Sequence, residues 1–413
     1  TTRLGGIDYR HVRLGQLKLE FVVAVEKKQA VLAVLPIDAG KNLLRTALGL
    51  DKPEHSLQDS GKLDKLIQSD GYQPYSLAYI DFTRLPALIA GEKDPLLKAL
   101  LASAPAAAEK IPASCKADFD RIASRVPMIS SGMTAMKADQ VGYRINVALA
   151  SDIASTFSGI HVKLPGLGGS LSAPLDLAIA FPVKEFRQFW MAQADAVAAK
   201  PFTCPALTHL NQGFAKLRMA VQKTAVPPVN DLRGLQISID SIDLPDAGKP
   251  TVAGRVLIAS DNPEGMIAMA QMAVPALRTL QIPKDGKPVA LPATLTRMAG
   301  GQPAWVAMND HVLALALGSG EDQRLAESLK STSDVSGAVS NFHMDGSMYR
   351  KWLAILSKAM DTKMKTNLDS NAANDFMKNM QQMKAQAEHV DAINEDIHVD
   401  DHGVVMNVHV KRH

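Results

Sequence analysis

The sequence predicts an α+β fold made of repeated strand–helix–helix–hairpin units. Three observations support this: apolar residues alternate in short paired runs, helical patterns also come in pairs, and the same order recurs along the chain. Strands joined by short turns pair antiparallel, whereas parallel strands need long crossovers. We therefore expect antiparallel sheets with helices packed on one face.

The clearest unit spans residues 175–190, LDLAIAFPVKEFRQFW. Leu177, Ile179 and Phe181 alternate with smaller residues, which is typical of a strand with one buried face. Pro182 lacks an N–H and therefore ends the strand, and it suits the start of a helix. The apolar residues that follow have helical spacing, namely Val183, Phe186, Phe189 and Trp190.

Other segments repeat parts of this pattern. Residues 76–90 and 337–356 each read as a strand followed by a helix, with Asp81 and Asp345 as the helix caps. Residues 21–49 and 304–331 each read as two strands followed by a helix. These segments indicate that one building block was used several times.

The C-terminal hairpin closes the chain. If His402 and Gly403 form its turn, one face is apolar and predicts a core, and the other is polar and predicts contact with water. The apolar residues are Ile397, Val399, Val404, Met406, Val408 and Val410, and the polar ones are Asp396, His398, Asp400, Asn407 and His409. With the Gly/Pro/Ser-rich loop at 161–174 as a boundary, we predict modules at 1–160, 161–335 and 336–413.

Composition limits the classes of partner. The chain has 413 residues, a formal net charge of +3 and scattered basic residues, which disfavours nucleic acid as a partner. No apolar run approaches the roughly 20 residues of a transmembrane helix. The chain begins at Thr1 rather than Met, which predicts that a signal segment or lipid anchor, and part of the first module, preceded it.

The chain has two cysteines, Cys115 and Cys204, and each comes just before a predicted helix. A disulfide between them would join neighbouring units and would require an oxidising compartment. Two separate buried thiols are the alternative, because spacing alone does not establish geometry.

The hairpin AWVAMNDHVLALAL and the LDLAIAFPVKEFRQFW unit resemble those of a loose group of bacterial envelope proteins that are built from repeated hairpin–helix modules. The resemblance covers most of the chain and implies a location in the periplasm or on the outer surface. The group has no established chemistry, so the resemblance assigns no functional residue.

Catalytic motifs are absent from the sequence: there is no G-x-S-x-G, no H-E-x-x-H and no Walker loop. We therefore predict no cofactor and no metal. One alternative is a metal-dependent hydrolase that uses the C-terminal cluster of His389, Asp391, His398, Asp400, His402, His409 and His413. Alternating His and Asp on a solvated strand face explains the same pattern.

Methionines with helical spacing are the best candidates for ligand contacts. Methionine adapts to irregular shapes and is over-used on surfaces that bind varied apolar ligands, although it also fills cores. The candidates are Met266, Met269, Met360, Met364, Met377 and Met380. We therefore favour a non-enzymatic envelope protein that binds a protein partner or an amphipathic or lipid ligand; a purely structural scaffold is a further alternative.

Overall fold

The computed structural model describes the chain except residues 16–17, 27–28, 38–39, 53–55, 91–110, 170, 244–250, 298–299, 332 and 368–369. The described residues form two compact units. The first unit comprises Thr1–Gly71, Ile80–Met128 and Phe202–Leu210, and the second comprises Tyr72–Tyr79, Ile129–Pro201 and Asn211–His413. The predicted division at 160 and 335 stays a prediction.

The first unit contains a four-stranded antiparallel sheet in the order β1-β2-β3-β4. Its elements are β1 (Thr2–Leu4), β2 (Ile7–Leu14), β3 (Leu19–Glu26), β4 (Gln29–Pro36), α1 (Gly40–Ala47), α2 (Lys62–Asp70), α3 (Leu85–Ala90) and α4 (Lys116–Ala123). On one face of this sheet, Tyr9, Val22 and Ala24 form a core with Leu48.

The other face of the small sheet is apolar and open to solvent. Cross-strand pairing places Phe21 beside Val34 and Val12, and Val23 beside Leu32. Val25 is 77% exposed and Leu32 is 75% exposed. Alternation along these strands therefore produces two apolar faces, of which the unit itself buries one.

The second unit is organised around a twelve-stranded sheet. Its strands are β6 (Met128–Met136), β7 (Gln140–Ala148), β8 (Leu175–Ala180), β9 (Leu232–Asp243), β10 (Thr251–Ser260), β11 (Val289–Ala290), β12 (Ala304–Met308), β13 (Val312–Leu317), β14 (Ala338–Asp345), β15 (Val390–Asp400) and β16 (Gly403–Arg412), with β5 (Leu77–Asp81) at one edge across the division between units. Its helices are α5 (Ser151–Ser158), α6 (Val183–Ala199), α7 (Thr208–Lys223, which belongs to this unit from Asn211 onward), α8 (Pro263–Ala273), α9 (Ala293–Thr296), α10 (Glu321–Lys330), α11 (Gly346–Asn367) and α12 (Ser370–Ala387).

The sheet order is β11-β12-β13-β10-β9-β8-β14-β15-β16-β7-β6-β5. Every pair whose register is described is antiparallel, which confirms the predicted α+β class. Strands distant in sequence are neighbours here, since β8 lies between β9 and β14. This order does not confirm the predicted repetition of one unit.

Helices pack on both faces of the sheet near β13, so the expectation of helices on one face is wrong there. On one face, Leu325 and Leu329 of α10 pack with Ala314 and Ala316. On the other, Met266 and Ile267 of α8 pack with Val306, Met308 and Leu313. Successive residues of β13 therefore enter two different cores, because side chains alternate between the faces of a strand.

Burial along β8 is the reverse of the prediction. Asp176, Ala178 and Ala180 are buried, whereas Leu177 and Ile179 are only partly buried. Small residues such as Ala178 let the segment with Val162 and Leu164 pack closely on their face. The alternation therefore identified the strand correctly, but the larger side chains lie on the more open face.

Candidate functional site

The larger side chains of the second unit's sheet lie together on one face, which we call the aliphatic face. Directly paired residues on neighbouring strands share a face, so the pairings define rows across the sheet. One row runs Tyr143, Val408, Glu395, Phe342, Leu177, Ile237, Val256, Leu315 and Val306. A second row runs Ile145, Met406, Ile397, Ser340, Ile179, Leu235, Ile258 and Leu313.

Much of the aliphatic face remains accessible to solvent. Leu315 is 40% exposed and Tyr143 is 37% exposed, and the residues between them in that row are partly buried. Val306, at the end of the row, is buried by Met266 and Ile267 of α8. The face is therefore covered at the β12 end and open over the central strands.

An apolar pocket adjoins one end of the aliphatic face. It has a volume of about 250 Å³ and is lined by Leu149, Phe157, Ile160, Ala180, Pro182, Phe186, Gly337, Ala338, Val339, Val399 and Val404. Val399 and Val404 are paired, and they lie on the same side of their strands as Ile397 and Met406. Ala180 and Ala338 belong to the core on the opposite face, so the pocket lies at the end of the sheet beneath α5 and α6, with the aliphatic face along one side.

Aromatic rings form one wall of this pocket. Phe157 of α5 lies 5.6 Å from Phe186 and 4.9 Å from Phe189, measured between ring centroids. Trp190 extends the cluster and is 42% exposed. These contacts fix α5 against α6 at the mouth of the pocket, because aromatic pairs prefer such tilted and edge-on arrangements.

Glu395 is an acidic side chain within the aliphatic face. It lies between Phe342 and Val408 on the neighbouring strands. Burial raises the pKa of its carboxyl above the ordinary value, and the charge of Asp396 raises it further. A carboxyl group among apolar neighbours offers one polar contact to a ligand that is otherwise hydrophobic.

The predicted methionines divide into several environments. Met380 is 3% exposed and packs with Leu353 and Ala387, and Met266 of α8 packs against the core of Val306, Met308 and Leu313, so both contribute to cores. Met269 is 45% exposed. Met360 and Met364 belong to α11 and Met377 to α12, but their side chains lie outside the described part of the chain. Their role as ligand contacts stays a prediction.

The predicted disulfide between Cys115 and Cys204 is present, with 4.7 Å between the Cα atoms. Asp118, one helical turn after Cys115, accepts hydrogen bonds from the backbone N–H groups of Thr203 and Cys204 at 2.7 and 2.8 Å. Burial would raise the pKa of Asp118, but these hydrogen bonds outweigh burial and lower it. The bridge and the carboxylate together anchor residues 202–210 within the first unit.

The C-terminal histidines and aspartates form separate pairs. His398 lies 3.2 Å from Asp396, and His413 lies 2.7 Å from Asp391, nitrogen to oxygen. Within the described residues, no group of three His, Cys, Asp or Glu side chains is arranged to hold a metal ion. The predicted division of this hairpin into two faces is confirmed, since Ile397 faces Met406 and Asp396 faces Asn407. The predicted turn at His402 and Gly403 is wrong by one residue: the turn is formed by Asp401 and His402, and Gly403 already pairs with Asp400.

The solvated polar face predicted for this hairpin is wrong in part. Asn407 is 9% exposed, because it donates to Asp396 at 2.9 Å and accepts from Arg144 at 2.7 Å. The apolar residues Met406 and Val408 are instead partly exposed. As in β8, alternation identifies the strand and its two faces, but it does not show which face is buried.

Sequence reasoning missed the pocket residues Phe157, Val399 and Val404. The available signal was the density of phenylalanines at 157, 181, 186 and 189. Alternation and helical spacing assigned each of them to an element without showing that two helices meet over the end of a hairpin. That arrangement depends on pairing between distant strands.

No helix in the described part of the chain combines the length and the hydropathy needed to cross a bilayer. Comparisons of the chain with protein-family models, curated proteins and solved structures returned no match.

Proposed function

We propose that this protein is a non-enzymatic binding protein of the bacterial cell envelope, in the periplasm or on the outer surface, and that it takes an amphipathic or lipid ligand on its aliphatic face. The observation that carries the proposal is the continuous, partly exposed row from Tyr143 to Leu315. Large exposed apolar patches are uncommon on monomeric proteins and mark binding sites.

The pocket favours an acyl chain as the occupant. At about 250 Å³ it is smaller than the roughly 300–1,000 Å³ of sites for drug-sized ligands. A narrow aliphatic chain fits such a pocket and can continue along the aliphatic face past Ile397 and Met406. Glu395 then provides a contact for a hydroxyl or amide group of the same ligand.

A fluorescent fatty acid tests this proposal on delipidated protein. We expect saturable binding to the wild type and at least ~10-fold weaker binding to Leu315→Gln, because the change places a polar amide on the open aliphatic face. Val25→Gln is the matched control, since Val25 is exposed but lies on the small sheet of the first unit. An unaltered circular dichroism spectrum establishes that Leu315→Gln is folded.

Absence of saturable binding to the wild type would overturn the ligand proposal. So would equal binding by the wild type and Leu315→Gln. Lipid found by native mass spectrometry in protein isolated from its own host, without delipidation, would identify the ligand class directly.

The small sheet supports the second half of the function, binding of a protein partner. Val12, Val23, Val25, Leu32 and Val34 form an exposed apolar face, and a second sheet packed face to face would bury it. We expect Val25→Asp to abolish a complex that survives in Leu315→Gln. Chemical cross-linking in the host, followed by mass spectrometry, measures this; cross-links confined to other surfaces would contradict the assignment.

The disulfide supports the location, since such bonds persist in oxidising compartments. Alkylation of unreduced host extracts, followed by mass analysis, reports whether Cys115 and Cys204 are bonded in the cell. Fully alkylated cysteines would argue for a reducing compartment and against the envelope.

A further inference from the structure

A second cleft lies on the face of the sheet opposite the aliphatic face. It has a volume of about 490 Å³, within the range of small-molecule sites. Its floor is made by side chains of β8, β9 and β10, and its walls by residues 165–166 and 171–174 and by α10. Asp176, Ser238 and Arg255 share one row of that floor.

The floor of this polar cleft is built from buried groups. Asp176 and Ser238 are each 2% exposed, and Gln236 and Arg255 are each 7% exposed. Burying a polar side chain costs folding free energy unless the group is hydrogen-bonded. Four such side chains in one cleft therefore need hydrogen-bond partners, either within the protein or from a ligand.

Part of that network is complete. Asp176 accepts from the backbone N–H groups of Ser172 and Ala173 at 2.9 and 2.8 Å, and it also accepts from the Ser238 hydroxyl. The Gln236 amide nitrogen lies 3.3 Å from Ser238 Oγ and 3.5 Å from Asp176 Oδ1. The NH₂ end of this amide is therefore the end that faces the acceptors.

The charged part of the network is also paired. One nitrogen of Arg255, Nη1, donates to Asp240 at 2.7 Å and to Glu321 at 2.8 Å. Arg324 lies 2.9 Å from each of the same two acids. Burial raises the pKa of Glu321, and Asp240 raises it further, while Arg255 opposes both.

Two buried atoms of the floor nevertheless have no partner among the described residues: Gln236 Oε1, an acceptor, and Arg255 Nε, a donor. Gln236 pairs with Leu257, and Arg255 pairs with Ser238, so the two side chains are diagonal neighbours on adjacent strands, roughly 7–8 Å apart. A ligand that hydrogen-bonds to both atoms must donate to Gln236 Oε1 and accept from Arg255 Nε.

We propose that the polar cleft binds a neutral, hydroxyl-rich ligand of the size of one or two sugar rings. A hydroxyl group both donates and accepts, so neighbouring hydroxyls can satisfy Gln236 Oε1 and Arg255 Nε together. The lining carries three acids and two arginines, and both arginines are already paired with acids. That balance disfavours a strongly charged anion, and the guanidinium at the floor disfavours a cation.

Isothermal titration of the full chain with maltose, spermidine and inorganic phosphate tests the ligand class. We expect maltose to bind, and Gln236→Leu to weaken binding at least ~10-fold because it removes the free acceptor. Arg255→Lys is the second variant, since lysine keeps the charge but lacks Nε–H. We expect it to weaken maltose binding as well. Thermal unfolding is the readout that separates a binding role from a structural one. Gln236→Leu also removes the hydrogen bonds from the amide nitrogen to Ser238 and Asp176, but Asp176 keeps its backbone and hydroxyl donors, so we expect only a small fall in melting temperature.

Leu315→Gln, on the opposite face, should bind maltose as the wild type does, which separates this inference from the proposed lipid ligand. Binding of spermidine or phosphate in place of maltose would overturn the assignment of a neutral ligand, and absence of binding by all three probes would overturn the site. Loss of maltose binding in Gln236→Leu only alongside a large fall in melting temperature, with Arg255→Lys binding normally, would assign Gln236 a structural role and also overturn it.

Discussion

The two faces of the twelve-stranded sheet differ in which side chains they bury. One face buries Asp176, Gln236 and Arg255 beneath α10 and the loop at 165–174, whereas the other leaves Leu177 and Leu315 partly exposed. Burial is not a property of residue type here but of which face is covered. The open aliphatic face is the surface on which we propose that the ligand binds.

The largest expected effect on stability comes from a substitution on the covered face of the sheet. Glu321 is fully buried and binds Arg255 and Arg324, so Glu321→Ala breaks a buried pair and leaves the Arg255 guanidinium with Asp240 as its remaining acidic partner. Removing one member of a buried pair costs about 3–5 kcal/mol of unfolding free energy. Glu395→Ala, an acid on the open face, should change it by less than about 1 kcal/mol. Urea unfolding measures both; equal losses would mean that the two faces are equally buried.

Two leucines, one on each face, allow the same comparison with uncharged side chains. Leu257 is fully buried on the face that contains the polar cleft, and Leu315 is 40% exposed on the aliphatic face. Leu257→Ala should cost about 2–5 kcal/mol, as for other core leucines, and Leu315→Ala should cost less than about 1 kcal/mol. Fatty-acid binding should show the reverse order, with Leu315→Ala the weaker binder. If Leu257→Ala lost more binding at constant stability, the ligand would occupy the other face.

Local features of this fold were predictable because they depend on nearby residues. Asp81 caps its helix by accepting from Thr83 N–H, and Asn262 caps α8 by accepting from Gly265 N–H at 2.9 Å. The hairpins at 304–317 and 390–412 also follow from alternation and turn residues. The disulfide was one of two alternatives that the spacing left open.

Sheet order and face burial were not predictable from one sequence. The pairing of β8 with β14 joins Leu177 to Phe342 across more than 160 residues, and no local pattern encodes it. Alternation places Leu177 and Asp176 on opposite faces, but coverage is decided by the distant α10. The polar cleft depends on the same coverage, so Gln236 and Arg255 looked like ordinary strand residues.

The apolar pocket offers a test of intermediate size. Phe186 lines the pocket, whereas Phe189 belongs to the same aromatic cluster but does not line it. Both are partly buried, so each Phe→Ala change should cost about 1–3 kcal/mol, less than for a fully buried phenylalanine. Only Phe186→Ala enlarges the pocket, and we expect it to shift the preferred fatty acid toward longer chains. Competition among fatty acids of increasing length measures this; the same shift in Phe189→Ala would exclude the pocket as the chain's end point.

The smallest expected effect is on the pH dependence of stability, and it is tested at two consecutive acids that lie on opposite faces of β15. Burial raises the pKa of Glu395, whereas the pKa of Asp396 is lowered, first by its hydrogen bond with His398 and then by that with Asn407. For Glu395, whose folded-state pKa is raised, the folded protein loses stability as pH rises from the ordinary carboxyl range through the raised pKa. Glu395→Gln should therefore be more stable than the wild type at neutral pH, and the difference should vanish in acid.

Asp396 should behave in the opposite sense. Its folded-state pKa is lowered, so its charge stabilises the fold above the ordinary carboxyl range, and this contribution is lost as pH falls through the lowered value. Asp396→Asn should therefore be less stable than the wild type at neutral pH and converge with it in acid. Unfolding free energies of the two variants across this pH range measure both slopes. Slopes of the same sign would mean that the apolar neighbours of Glu395 and the hydrogen-bonding partners of Asp396 affect a carboxyl group in the same way, which would contradict the contrast between these two acids.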